Sequence, residues 1–279
     1  EETFTVDPSD AYGNTYFIED REDMEALAKY TIRNSGVGLT FKVTNNIDLG
    51  GSEENPWTPI GFSFRFRGTF DGDGHEISGL YINNIYNGYQ GLFGALGNGG
   101  TIRSLDVSGS VTGGGDVGGV VGYNYGGEVS DCCYSGYVTG TYDVGGVVGY
   151  NNTGGIVIDC YNTGVVNGSS SYVGGVVGYN NTGGTVLNCY NAGGVNGSGV
   201  NVGDVGGVVG NNNTGAIVRN CYNTNLVVGD HFVGGVVGHN LGGEVSGCYN
   251  SGDINGSSIS GGVVGYNNTG GIVVDCYNT

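Results

Sequence analysis

The sequence is poor in positive charge. Only 8 of its 279 residues are Lys or Arg, against 26 Asp or Glu, and the formal net charge is −18. A chain this acidic is repelled by nucleic acid and by anionic membrane surfaces, so no nucleic-acid partner is expected. Long hydrophobic runs are also missing. No stretch approaches the ~20 apolar residues that a membrane-spanning helix needs, so insertion of this segment into a membrane is not expected. Proline is scarce, at 3 residues, and the glycine has no strict three-residue period, which excludes a collagen-like reading. What the chain does have is glycine, 62 residues of it. Val, Ile and Tyr recur between the glycines, as in short strands separated by turns and unlike a disordered linker. The chain opens with Glu1, which suggests a processed or excised piece.

The glycine is organised. The marker Gly-Gly-Val-Val-Gly begins at Gly118, Gly145, Gly174, Gly206, Gly234 and Gly261, at spacings of 27, 29, 32, 28 and 27. Gly91-Leu92-Phe93-Gly94 is an earlier, variant copy. A period near 28 residues means a solenoid of stacked coils. Within a coil the apolar runs are Val147-Val148, Ile156-Val157-Ile158 and Val165-Val166. Each is too short for a helix and ends in Gly, Asn or Asp. Three strands and three corners per coil describe an all-β, three-faced parallel β-helix, with successive coils ~4.8 Å apart. The general rule for parallel crossovers makes it right-handed.

One corner is legible residue by residue. An apolar residue (Val129, Val157, Val186, Val218, Val245, Val273) precedes a Cys by three positions in every coil. Strand side chains alternate, so two inward residues three apart require a bend between them. The residue just before the Cys is Asp131, Asp159, Asn188, Asn220, Gly247 or Asp275. Those types tolerate left-handed backbone.

The chain holds seven cysteines, and six of them (Cys132, Cys160, Cys189, Cys221, Cys248, Cys276) share one slot, where Leu105 stands in the earlier coil. A slot that accepts Leu is apolar and interior, so a ladder of free buried thiols is expected in preference to disulfides. No Cys-x2-Cys pair points to a metal. If Cys points inward, the following residue points outward. Tyr134, Tyr161, Tyr190, Tyr222, Tyr249 and Tyr277 then form a column of rings, the candidate ligand-binding residues. Such a row could stack on sugar rings or an extended peptide. The plainer reading is that the rings stack on one another and shield the corner. A second column follows the glycine marker: Tyr123, Tyr150, Tyr179, Asn211, His239, Tyr266.

Residues 1–88 differ from the repeats at 89–279, which make seven coils of about 28 residues and stop in mid-coil at Thr279. The earlier segment reads as an N-terminal cap. A short amphipathic helix from Asp20 to Asn34 turns Met24, Leu27, Ala28 and Ile32 to one side. A strand with Phe41, Val43, Ile47 and Leu49 alternating follows, and then irregular first coils. Such a cap would close a raw sheet edge.

The sequences Trp57-Thr58-Pro59-Ile60-Gly61, Gly68-Thr69-Phe70-Asp71-Gly72-Asp73-Gly74-His75 and Gly91-Leu92-Phe93-Gly94, with the Gly-Gly-Val-Val-Gly coils, resemble the GLUG-repeat proteins. These are secreted or surface-anchored bacterial proteins, including large adhesins and the non-catalytic regions of some immunoglobulin A proteases. The resemblance covers residues 15–279. It implies an extracellular, cell-surface β-helix that is part of a larger parent chain, and it supplies no catalytic residues.

Parallel β-helices also carry carbohydrate-active enzymes, which work with paired carboxylates. Asp116 and Asp143 share a position on adjacent coils, as do Asp131 and Asp159. The latter two are corner residues, and the former slot also takes Tyr172, Asp204 and Phe232. The repeats offer only Arg103, Arg219, His231 and His239 as basic groups, too few to hold an acidic polymer. The expectation is therefore a non-catalytic module, an adhesin or ligand-presenting stalk whose partner is a host glycan or a host or bacterial surface protein. The alternatives are a presentation domain of a larger secreted protease and a carbohydrate-active enzyme. No cofactor is expected. Asp71-Gly72-Asp73-Gly74-His75 clusters oxygen donors and makes Asp71 and Asp73 a calcium candidate, although Asp-Gly pairs also make tight turns. Asn-Asn-Thr triplets such as Asn151-Asn152-Thr153 match glycosylation acceptors but read more simply as turns.

Overall fold

The computed structural model describes residues 14–199 and 203–279. They form a nearly all-β parallel solenoid of about nine turns with one short helix. Its register is read most directly along one column. Thr15, Thr40, Thr69, Thr101, Glu128, Ile156, Thr185, Ile217, Glu244 and Ile272 lie side by side, one per turn, in parallel pairing. The column begins at Thr15, so the strands within the first 88 residues already belong to the winding.

The single helix, α1 (Arg21–Tyr30), is an insertion between the first two strands, Thr15–Ile18 and Thr40–Val43. The Asp20 carboxylate accepts from the Glu22 and Asp23 amides and starts it. Met24, Leu27 and Ala28 are buried in the same core as Ile18 and Phe41. The helix stops earlier than its polarity pattern predicts. The Thr31 hydroxyl donates back to the Ala28 carbonyl at 2.9 Å and accepts the Gly61 amide at 2.9 Å. Ile32 falls beyond that stop and is 48% exposed. The apolar run that follows is two strands, Thr40–Val43 and Ile47–Asp48, on either side of a bend. Phe41, Val43, Ile47 and Leu49 are all buried.

The next two turns wind around their corners as continuous strands, Thr69–Gln90 and Thr101–Gly118, with register shifts where the chain bends. From Glu128 onward the turns regularise. The turn that starts at Val148 contains five short strands: Val148–Asn151, Ile156–Ile158, Tyr161–Asn162, Val165–Gly168 and Tyr172–Gly174. Three of these hold the apolar runs seen in the sequence. The other two lie where no such run exists, so hydrophobic periodicity does not reveal them.

The interior is built of columns of valine. Val129, Val157, Val186, Val218 and Val245 are each fully buried, as are Val120, Val147, Val176, Val208 and Val236. Each such side chain contributes about 1.5–3 kcal/mol on burial. The marker glycines let the backbone close around them. A Cβ at Gly146 would run into the Gly175 carbonyl and the Asn162 side chain.

The corner before each Cys is left-handed, as its residue types require. φ is 52° at Asp131, 54° at Asp159, 52° at Asn188, 53° at Asn220, 63° at Gly247 and 53° at Asp275. The thiols beyond it are free and stacked. Cys132 pairs with Leu105 in register, and Cys132, Cys160, Cys189, Cys221 and Cys248 are buried, with Cys276 half-buried in the last turn. The Cys160 thiol donates to the Ile158 carbonyl at 3.2 Å and the Val129 carbonyl at 3.5 Å. Burial raises the pKa of Cys132 and Cys189 well above that of an ordinary thiol.

Candidate functional site

Five of the six tyrosines expected in the outward column stand in it. Tyr161, Tyr190, Tyr222, Tyr249 and Tyr277 pair in register, with centroids 4.7–5.3 Å apart and planes within 3–8° of parallel. Each inner ring therefore has a neighbour over both faces, and only edges and hydroxyls meet solvent. A sugar stacks on ring faces, so a ladder whose faces are covered in this way offers a bound sugar little.

Tyr134 corrects the expectation. It is fully buried and pairs with Asn162, while Cys133 takes the place opposite Tyr161. Cys133 stands in the outward slot that Tyr161 fills in the next turn, so Tyr134, one place on, falls in the inward slot that Asn162 fills there. The Tyr134 hydroxyl donates inside the turn toward the Gly109 and Tyr137 carbonyls, at 3.0 and 3.2 Å. Burial pushes the displaced Cys133 thiol up to about 11.

Behind the rings runs a polar ladder. Asn162, Asn191, Asn223 and Asn250 are fully buried, and each Nδ2 donates to the Oδ1 of the next Asn at 2.7–2.8 Å, ending on Asn278. Each of these amides also donates to a carbonyl of its own corner, as Asn162 does to Gly164 at 3.0 Å. A second ladder joins Asn124, Asn151, Asn180, Asn212, Asn240 and Asn267 at 2.8–2.9 Å. Reading Asn as a turn residue hides both. The signal was the alternation itself: Cys in and Tyr out puts the next Asn in.

The second column is less regular. Tyr123, Tyr150, Tyr179, Asn211, His239 and Tyr266 pair in register. Its rings meet at varied angles: 28° between Tyr123 and Tyr150, 88° between Tyr150 and Tyr179, and 62° between Tyr89 and Tyr123. Beside it, Asp116 and Asp143 hydrogen bond to each other. Burial pushes both up, Asp116 to about 6 and Asp143, which also feels the Asp116 charge, to about 8. The pair therefore shares a proton near neutral pH. Farther along, Asp204 accepts from the Asn211 amide at 2.6 Å and faces the His239 Nδ1 at 3.3 Å.

The calcium candidates are engaged with cations of the protein itself. Asp71 pairs with Arg103 at 2.8 Å, and Asp73 with Lys42 at 3.0 Å. Asp73 also has φ 52°, the geometry of the later corner residues. Asp131 and Asp159 are corner residues, as expected.

Sequence reasoning missed one further feature. Residues of the Phe62–Arg67 loop, with Tyr89 and Tyr123 at the start of the second column, line an open surface hollow of about 440 Å³. Phe62, Phe64, Arg65, Arg67, Tyr89 and Tyr123 line it. Phe62 is 41% and Phe64 54% exposed, and the Arg65 guanidinium lies 4.1 Å from the centre of the Tyr125 ring. The hollow joins one loop to residues of the two following turns, so no local run of sequence announces it.

Comparison with known proteins agrees with this architecture. Residues 232–255 match the GLUG motif, which bears out the resemblance drawn from the sequence. The chain is 36% identical over 124 residues to a Gly-rich membrane protein of Evansella cellulosilytica, an alignment covering 40% of this chain and 14% of the other. It is 32% identical over 120 residues to a halomucin of Haloquadratum walsbyi, covering 40% of this chain and 1% of the other. This chain thus spans only a small part of either relative. A solved structure from Bacteroides ovatus, named as an immunoglobulin A1 protease, superposes with a TM-score of 0.66 at 21% identity, over 93% of this chain and 84% of that one. A second, named IgA1 protease, superposes with a TM-score of 0.57 at 15% identity, over 98% and 22%. At such identities the likeness is one of fold.

Proposed function

We propose that this chain is a non-catalytic, extracellular β-solenoid module of a bacterial surface or secreted protein, acting as an adhesin-like stalk that presents a ligand-binding face. The observation that carries the reading is the second tyrosine column. Parallel register repeats one outward position on every turn, and there the rings meet at varied angles, with the first of them, Tyr123, lining a hollow beside Tyr89. The carboxyl pair of Asp116 and Asp143 is largely buried, which supports the non-catalytic reading. The names of the partial relatives, a membrane protein and a halomucin, fit a cell-surface setting. A passive region of a larger secreted protease is the second reading, favoured by the names of the two structural neighbours.

The test has two arms. Antibody labelling of intact cells, with loss of signal on protease shaving, is expected for a surface module; signal only after lysis would refute that location. The purified chain on glycan and surface-protein arrays is expected to bind and to leave the bound glycans uncleaved. An array that stays dark favours the passive region, and cleavage products would make the chain an enzyme.

A further inference from the structure

We propose that the hollow under the Phe62–Arg67 loop binds a sugar ring that bears a carboxylate, such as a uronic or sialic acid residue. The inference rests on the ligand-presenting reading above and gives it a place and a chemistry. It starts from charge. Among eight cations in a chain with 26 acids, Arg21, Lys29, Lys42, Arg103 and Arg219 sit in ion pairs. Arg33, Arg65 and Arg67 have no carboxylate within ion-pair distance among the described residues, and of these Arg65 and Arg67 line the hollow. Arg65 is held against the Tyr125 ring, and Arg67 donates its Nε to the Asn98 carbonyl at 3.0 Å. Both side chains are thereby positioned while their remaining N–H donors stay available. Two guanidinium groups lining one hollow are suited to a planar anion, which they can grip through paired hydrogen bonds.

The walls specify the rest of the ligand. Phe62 and Phe64 present open ring surface to the hollow, where the C–H side of a pyranose packs. Ser35 and Ser63 supply hydroxyls at its edge. Tyr89 adds an independent sign. It has φ 59°, in a slot that the next two turns fill with Asp116 and Asp143 at 47° and 51°. A bulky residue in left-handed backbone is strained, whereas Asp is tolerated there. The strain sets an aromatic wall against the hollow, and strained residues concentrate at ligand sites. The size fits as well: about 440 Å³ lies within the range of small-ligand sites and accommodates one or two sugar rings.

Calorimetric titration of the full chain with methyl glucuronide, a methyl sialoside, methyl glucoside and a glutamate-rich peptide tests this. Binding of one or both acidic glycosides, at least tenfold weaker for methyl glucoside and weakening as salt rises, is the expected result. Which acidic glycoside binds more tightly identifies the source of the carboxylate. The double variant Arg65→Gln/Arg67→Gln is expected to lose at least tenfold in affinity with an unchanged melting temperature, and Phe62→Ser to lose several-fold. Equal binding of methyl glucoside, binding of the peptide alone, or full binding by the double variant would overturn the proposal. If the chain binds array glycans but this hollow's variants bind them unchanged, the inference fails and the ligand-presenting reading stands. If neither the array nor the titration gives binding, both fail.

Discussion

The two tyrosine columns of this solenoid are made by the same register, yet they end as different surfaces. In the column from Tyr161 to Tyr277 every turn contributes the same ring, in the same rotamer space, over an unbroken ladder of buried Asn. Planes within 3–8° of parallel are the outcome, with faces closed and edges out. In the column from Tyr123 to Tyr266 the neighbours change from turn to turn: Tyr89, then Asp116 and Asp143, then Tyr172, Asp204 and Phe232. The rings meet at 28°, 62° and 88°, and the first of them, Tyr123, lines the hollow. Strict repetition yields a seal. Irregularity within a repeat yields a site.

That contrast can be broken from beneath, and there the effect is largest. Asn191→Ala removes the acceptor for Asn162 and the donor for Asn223 and opens the Gly193 corner. Unmade buried hydrogen bonds of this kind cost about 1–3 kcal/mol each, so a loss of about 3 kcal/mol is expected, read as a lower urea midpoint. An unchanged midpoint would mean that the ladder is incidental.

The carboxyl pair beside the second column makes that side of the solenoid respond to pH. Asp116 and Asp143 have raised folded-state values, about 6 and about 8, whereas an unfolded Asp titrates near 3.9. The folded state therefore binds protons more tightly than the unfolded state. The associated stability is fully present below pH ~4 and is lost as pH rises through the two folded values. Between pH 5 and 9 the chain is expected to lose on the order of 5 kcal/mol. Asp143→Asn, which relieves the pair of its second charge, is expected to flatten that slope. A variant with the parent's pH profile would show that the two acids do not share a proton.

Smaller still is the effect of a single ring. Tyr190→Ser deletes two face-to-face contacts and is expected to cost about 1–2 kcal/mol without altering ligand affinity. The smallest effect concerns the thiols. Under native conditions iodoacetamide is expected to label Cys276 first, with Cys132, Cys160, Cys189, Cys221 and Cys248 silent until the chain unfolds. Rapid labelling of the inner thiols would contradict their burial.

Much of this was legible in the sequence, because a repeat multiplies every clue. Val157 three places before Cys160, with Asp159 between, demanded a left-handed corner, and the backbone has it. Leu105 in the Cys slot marked that slot as interior. What stayed hidden had physical reasons. Cys133 takes the outward slot of Tyr161, so Tyr134 falls in the inward slot of Asn162, although it too directly follows a Cys. The buried asparagines were masked by their residue type, since Asn is ordinarily a turn residue, and only a partner in the next turn makes its burial affordable. The first two turns, from Thr15, do not repeat in sequence, so their place in the winding comes from pairing alone. The hollow at Arg65 and Arg67 is assembled across turns, from Phe62 to Tyr123, and has no local signature.

The most direct test sets two triple variants side by side on one array of acidic and neutral glycans, with melting temperatures measured on the same samples. Tyr161→Ser/Tyr190→Ser/Tyr222→Ser is predicted to melt several degrees lower and to keep its ligands, while Phe62→Ser/Arg65→Gln/Arg67→Gln keeps its melting temperature and loses them. The reverse pattern, ligands lost with the stacked ladder and kept without the hollow, would contradict the account.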